Sequence, residues 1–357
     1  MKIGIIGLPQ VGKKTLFELL TGDKLDSQAY GAQAEIRMGV VKIRDNRFSE
    51  LVKMYQPKKI VPASIDVILL PKFDQETVQS GEFAKSLELC DALCHIVRAF
   101  SDESIFHVEG SVDPQRDIDS VFTELVLCDL ILVEKRLERI TKELMNKSTP
   151  AQQKEKEILM RMKELLDRHI PLTGCPLSED EKKIMSTYKF LTKKPMIIVL
   201  NADENKLSDL TLIRQIQEKY KDQAIKVMQI SAKIETELSA LDPAEQETFL
   251  KELNIKESAL NQLTRLYYEI LGLMSFFTVG PNEVHAWMIR KGIPAPEAAG
   301  TIHSDMQRGF IRAEIMKSQE LLAAGSETKL KEAGKVLIKG KDYIVEDGDV
   351  IFVRFNV

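Results

Sequence analysis

Lys2-Ile3-Gly4-Ile5-Ile6-Gly7-Leu8-Pro9-Gln10-Val11-Gly12-Lys13-Lys14 decides the fold. An apolar strand runs into a glycine, four residues follow, and Gly12-Lys13 opens a helix over Lys14–Thr21. This is the strand–loop–helix setting of a phosphate-binding (Walker A) loop. Glycines let main-chain N–H groups curl around phosphates, and the helix start favours an anion. Lys13 is placed to reach the β- and γ-phosphates. A turn that merely uses glycine is the competing reading. Position, spacing and context together favour the phosphate loop.

The residue after Lys13 departs from the motif. A Walker A loop carries Ser or Thr there, whose hydroxyl ligates Mg²⁺. This chain has Lys14, three donors and no lone pair. Thr15 does not simply substitute, because one helical step turns the side chain by about 100°. Lys14 either neutralises phosphate charge in place of part of the ion or faces solvent at a disused site.

Downstream, the pattern alternates as a doubly wound parallel α/β sheet requires. Ser64–Leu70, Ala92–Phe100, Met196–Leu200 and Ala224–Ile230 read as further strands. Between two of them, Val126, Leu130, Val133, Leu137, Ile140 and Leu144 step by four and three. That is a coiled-coil seam. It resumes after Pro150 with Ile158, Met162, Leu165 and His169, so an antiparallel helical hairpin is inserted in the sheet domain. Phe276–Val279, Glu283–Ile289, Val336–Ile338, Tyr343–Val345 and Val350–Phe355 then read as the short strands of a small β-rich domain.

Composition sets limits. The 357 residues are 44% hydrophobic, enough for two or three cores. The formal net charge of −4 excludes a strongly basic nucleic-acid footprint over the whole chain. Cys90, Cys94, Cys128 and Cys175 read as reduced buried thiols; Cys90 and Cys94 with His95 are too few for a zinc site, and no metal site is expected. No apolar run nears the roughly 20 residues of a membrane span. No leader-like layout opens the chain. A cytoplasmic monomer is the expectation.

Asn201-Ala202-Asp203-Glu204 follows the MIIVL strand, and Ser231-Ala232-Lys233 follows the next one. Strand, NADE, strand, SAK resembles the base-reading side of the YchF (Obg-like) family of P-loop NTPases. That resemblance implies ATP preferred over GTP, because Glu204 replaces the aspartate that reads guanine in NKxD relatives. It extends over nearly the whole chain. Asp113–Ile118 and Glu134–Glu138 resemble the start of the family's helical insert. Phe276–Gly280, Glu283–Gly292, Ala298–Asp305, Gly309–Glu314, Lys341–Val345 and Asp347–Val357 resemble its TGS domain, a ubiquitin-like β-grasp. The implied boundaries are 1–115 and 195–273 for the NTPase domain, 116–194 for the helical insert and 274–357 for the TGS domain.

The resemblance implies a nucleotide site of Gly7, Gly12, Lys13, Lys14, Thr15, Asn201, Glu204, Ser231, Ala232 and Lys233, and a ribosome or RNA partner. Lys154, Lys156, Arg161, Lys163 and Arg168 form a modestly basic stretch in the insert. It serves equally as a contact surface or as an ordinary solvated helix face. The departures bear on catalysis. The family's Asp-x-x-Gly motif falls on Leu69 and Lys72, Asp66 lies about 10 Å back along the strand, and Ala34-Glu35 stand where a threonine would help hold Mg²⁺. Phe73 lies roughly where the family has a hydrophobic residue in place of a catalytic glutamine. Three functions follow: a nucleotide-binding translation protein with weak or lost hydrolysis, an active ATPase using Lys13 and Lys14 for part of the metal's charge, or a structural ribosome- or RNA-binding module without nucleotide.

Overall fold

The computed structural model describes residues 1–24, 36–71, 81–146, 149–221, 223–253, 255 and 257–356. The chain forms two compact units, residues 1–39 with 66–260, and residues 40–65 with 261–357.

In the first unit, β1 (Lys2–Ile6) leads into α1 (Lys13–Thr21). Chain order continues with β2 (Arg37–Lys42), passes through α2 (Asn46–Tyr55) and β3 (Lys59–Val61), which belong to the second unit, and returns with β4 (Ser64–Leu69). Then come α3 (Glu82–Glu88), β5 (Ala92–Arg98), α4 (Pro114–Asn146), α5 (Pro150–Asp167) and α6 (Glu179–Met185). The unit closes with β6 (Met196–Asn201), α7 (Thr211–Lys219), β7 (Ile225–Ile230), α8 (Ala232–Ala240) and α9 (Pro243–Glu252). The sheet order is β2-β4-β1-β5-β6-β7. β1 pairs in parallel with β4 and β5, β5 with β6, and β6 with β7. Every residue of β5 and β6 is buried, as interior strands covered on both faces must be. Parallel pairing puts the ends of β1, β5, β6 and β7 on one edge, where α/β folds bind ligands.

The seam residues behave as their spacing predicts. Val126 and Val133 of α4 pack with Ile158, Leu159, Met162 and Leu166 of α5, and Leu130 and Leu137 join from the side. Asp129 closes the base of the hairpin by accepting from the main-chain N–H of Leu191 (2.8 Å) and Thr192 (2.9 Å). His169 is a correction: α5 ends at Asp167, and His169 stands exposed in a left-handed turn (φ 57°), off the seam. The N–H of Ile170 caps back to Leu165 O there, so the chain leaves the helix before His169 can join the stripe.

The second unit is built on a sheet of order β11-β10-β12-β8-β9-β3. After α10 (Ala259–Ile270) its elements are β8 (Leu273–Thr278), β9 (Glu283–Arg290), α11 (Ala295–Ile302), α12 (Ser304–Arg308) and β10 (Phe310–Lys317). They are followed by α13 (Ser318–Ala324), α14 (Glu327–Glu332), β11 (Leu337–Lys339) and β12 (Asp349–Phe355). Ala295, Ala298 and Ala299 of α11 lie across Phe276, Ile289, Phe310, Ile315 and Ile351, the helix-over-sheet core of a β-grasp. Small alanines let the helix sit close to the strands.

Three features differ from the expected pattern. Residues 40–65 fall in the second unit, whereas the sequence boundaries put them with the NTPase domain. β3 adds in parallel to β9, and Phe48 of α2 packs on Phe277 at 6.1 Å between ring centroids, contacts no local pattern announces. Tyr343–Val345 is not a strand; Ile344 makes one isolated bridge to Pro294. Phe310–Lys317 is a full strand, paired on both sides by β11 and β12. His285 stacks on Trp287, and the His303 ring accepts from Asp305 N–H to cap α12.

Candidate nucleotide site

The loop between β1 and α1 is shaped by three left-handed residues, Gly7 (φ 146°), Gln10 (φ 61°) and Gly12 (φ 102°). A Cβ on Gly7 would stand 2.3 Å from the carbonyl oxygen of Ile96, so only glycine fits against β5. A Cβ on Gly12 would stand 2.6 Å from Asn201 Nδ2. No side chain caps the start of α1, and its first turn carries no acidic residue. The first-turn N–H groups therefore point toward the loop with no acidic side chain of the helix's own first turn to occupy them. Lys13 Nζ donates to Gly7 O, and to Leu8 O at 2.9 Å, which folds the ammonium back over the loop.

The expected base side sits at the same sheet edge. Asn201 ends β6 and is 6% exposed. Its Nδ2 donates to Val11 O (3.1 Å), and its Oδ1 accepts from Ala232 N–H (3.0 Å). One side chain thus ties the phosphate loop to the Ser231–Lys233 turn. Ser231 caps α8 through Oγ, which accepts from Ile234 N–H. Ser231 and Ala232 are buried, whereas Glu204 and Lys233 are exposed, Glu204 in the short turn Glu204–Lys206. Thr15 is half-buried on the first turn of α1, and Lys14 beside it is exposed.

This geometry fits a nucleotide's phosphates: a glycine cradle that a Cβ would fill, a lysine at its mouth, and a second loop held at fixed distance. It fits a magnesium ion poorly. Lys14 has no oxygen, and Leu69, at the end of β4, is a buried hydrocarbon. Ala34, Glu35, Lys72 and Phe73 lie outside the described residues.

Residues 273–356 match the family model "YchF-GTPase_C: Protein of unknown function (DUF933)". The whole chain is similar to the ribosome-binding ATPase YchF of Bacillus subtilis (strain 168), 41% identical over 362 residues, 99% of each chain. The chain belongs to the YchF family. Among its relatives, Obg-like ATPase 1 of Pongo abelii is 35% identical over 368 residues, covering 100% of this chain and 92% of that one. The solved structure of the Schizosaccharomyces pombe YchF GTPase superposes with a TM-score of 0.83 at 32% identity, covering 99% of this chain and 97% of that one. The YchF fold therefore holds throughout: a P-loop NTPase sheet, an inserted helical hairpin and a C-terminal β-grasp.

Within this YchF framework, β5 carries Cys94, His95 and Arg98 among its apolar residues, and of these Arg98 was not legible as a site residue. His95 is 1% exposed, and neither ring nitrogen has a hydrogen-bond partner among the described residues. Burial, helped by the nearby Lys13 charge, pushes its pKa down to about 3. Cys94, its neighbour along the strand, points to the opposite face, so the two do not form a metal pair. Arg98 ends the strand, buried, with its guanidinium on main-chain carbonyls. Asp203, passed over inside NADE, accepts from Ser101 N–H at 3.1 Å. A charged or polar residue in an otherwise apolar interior strand was the available signal.

His95 makes acid stability testable. The unfolded chain protonates His95 near pH 6.5, whereas the folded chain holds it neutral down to about 3. The unfolded state thus binds more protons in this window, and stability falls as pH drops below 6.5. The loss is about 1.4 kcal/mol per pH unit, or roughly 2 kcal/mol at pH 5. His95→Leu should remove that share of the difference between urea melts at pH 7.5 and pH 5. Equal pH dependence in both proteins would contradict the assignment.

Proposed function

We propose that this YchF-family chain binds ATP in preference to GTP and acts in translation on the ribosome, with weak or lost hydrolysis. Its curated relatives carry the name ribosome-binding ATPase, which supports the partner and the nucleotide class. One observation carries the rest: a formed phosphate cradle stands beside Lys14 and Leu69, neither of which offers an oxygen to Mg²⁺. Bound ATP would supply a transferable γ-phosphoryl. Gly7, Gly12 and Lys13 would hold its phosphates, Thr15 would support the α-phosphate side, and Lys14 would add positive charge. Asn201 and Glu204, with Ser231, Ala232 and Lys233, would frame the base. These residues do not suit magnesium-assisted hydrolysis.

Residues 1–115 with 195–273 act in this reading as the nucleotide module. The helical insert 116–194 and the TGS region 274–357 supply the contact surfaces. The basic stretch of α5 is weaker than its sequence suggests. Arg161 pairs with Glu181, and Lys163 pairs with Glu134 and Asp167, whereas Lys154 and Arg168 are exposed and Lys156 is half-buried. The charge that remains there for RNA is therefore small.

Binding calorimetry with ATP and GTP, each with Mg²⁺ and with EDTA, tests the reading. ATP affinity should change less than about threefold when EDTA replaces Mg²⁺. A strict magnesium requirement would favour the active ATPase. No binding in any condition would favour a nucleotide-free module, which the Lys13 bonds to its own loop carbonyls also suit. Glu204→Asp tests the base contact, since it restores the guanine-reading carboxylate. The ATP-to-GTP affinity ratio should fall about tenfold, and an unchanged ratio would remove Glu204 from the base contact.

A further inference from the structure

Arg98 is 2% exposed, and the acceptors of its guanidinium are three main-chain carbonyls. Nε donates to Phe100 O (3.3 Å), Nη2 to Asp102 O (2.8 Å) and Nη1 to Ile105 O (3.0 Å). The guanidinium carbon also lies 4.6 Å from the centroid of the Phe100 ring. Burying a guanidinium against neutral carbonyls is expensive compared with an apolar side chain in the same place. What the arrangement provides is one fixed path for residues 99–105, gripped at three points by a planar fork.

That path runs along the proposed base loop. Arg98 stands in register with Asn201, and Ala99 N–H donates to Asn201 O at 2.8 Å. Ser101 N–H then donates to Asp203 Oδ2. In the parallel order β5-β6-β7, the segments after β5 and β7 flank the segment after β6. Asn201 ties 201–204 to the β7 side through Ala232, and Asp203 ties it to the β5 side through Ser101. Glu204 follows directly on this second tie.

We propose that Arg98 is a positioning residue for purine selection: it sets the course of residues 99–105, which through the Ser101–Asp203 bond fixes where Glu204 meets the base. Arg98 does not touch the nucleotide. This rests on the ATP-binding reading above. Arg98→Lys keeps the charge and most of the volume, but it replaces a planar fork with a single ammonium that cannot hold three carbonyls in one plane. Asp203→Ala cuts the same connection at its other end, on a half-exposed residue whose loss the fold tolerates more easily. Asp203→Asn retains an acceptor for Ser101 N–H.

The test is calorimetric titration of the full chain and these variants with ATP, GTP and inorganic tripolyphosphate. Tripolyphosphate has no base and so reads the phosphate loop alone. Arg98→Lys and Asp203→Ala should each weaken ATP about tenfold and narrow the ATP-to-GTP ratio, with tripolyphosphate affinity unchanged. The double variant should lose little more than either single one, as for residues acting in one chain of contacts. Asp203→Asn should recover most of the ratio. Equal losses for ATP and tripolyphosphate would mean general damage and overturn the proposal, as would unchanged ATP affinity in Asp203→Ala. Wild-type protein that binds tripolyphosphate but shows no purine preference would also overturn it, while leaving the phosphate site in place. Wild-type protein that binds neither ligand would overturn the nucleotide reading, and this proposal with it.

Discussion

Lys13→Ala is expected to lower ATP affinity at least about 100-fold, to the limit of calorimetric detection. Hydrogen bonds to charged groups contribute about 1.5–3 kcal/mol each, and an ammonium at the mouth of a phosphate loop makes more than one. Losing two amounts to roughly 3–6 kcal/mol, and every 1.4 kcal/mol is a factor of ten. Stability without nucleotide should change little. Lys13 donates there to the carbonyls of Gly7 and Leu8, which are buried but stand beside half-exposed Pro9 and exposed Gln10, so water entering the vacated ammonium position can take its place. A melting temperature near wild type together with lost ATP binding would separate a ligand contact from a folding defect. Undiminished ATP affinity would refute the placement of the phosphates at Gly7–Lys13.

Asn201→Ala should damage both stability and binding, by a different route. Asn201 is a strut whose two ends satisfy the Val11 carbonyl and the Ala232 N–H. Truncation strands both main-chain groups, and each unsatisfied buried group costs about 1–3 kcal/mol. A loss of roughly 2–6 kcal/mol in urea unfolding is expected, with ATP affinity reduced because the phosphate loop and the Ser231–Lys233 turn are no longer held together. Asn201→Asp keeps the acceptor for Ala232 but turns a carboxylate toward the Val11 carbonyl, so it should not restore stability. If Asn201→Ala unfolds within about 0.5 kcal/mol of wild type, the strut has no energetic weight.

Local pattern made much of this readable. The strand–glycine–lysine run from Lys2 to Lys13, the apolar stretches of β5 and β6, and the four-three stepping of α4 each reflect a backbone geometry that sequence periodicity records directly. Loop chemistry was readable for the same reason. Gly7 and Gly12 answer to left-handed backbone, and Ser231 answers to a helix cap. The pattern misled where an element's state depended on its partner. Tyr343–Val345 has strand-like residues but no neighbouring strand to complete a ladder, whereas Phe310–Lys317 is held as a strand from both sides.

For this protein, then, sequence alone determined the strands of the first sheet, the two hairpin helices, the glycine positions of the loop after β1 and the absence of a side-chain oxygen at Lys14 and Leu69. Those follow from side-chain identity and near-neighbour spacing. Only tertiary structure decided that α2 and β3 pack with β8 and β9, that Asn201 spans two loops, and that Arg98 and Asp203 grip residues 99–105 from opposite ends. The Asn201 and Asp203 contacts join groups 31 to 190 residues apart in sequence, and the Arg98 fork closes on carbonyls that only a folded loop brings together. Hydrogen bonds of a few ångströms leave no periodic trace along a chain, so their partners exist only once the sheet has set its register.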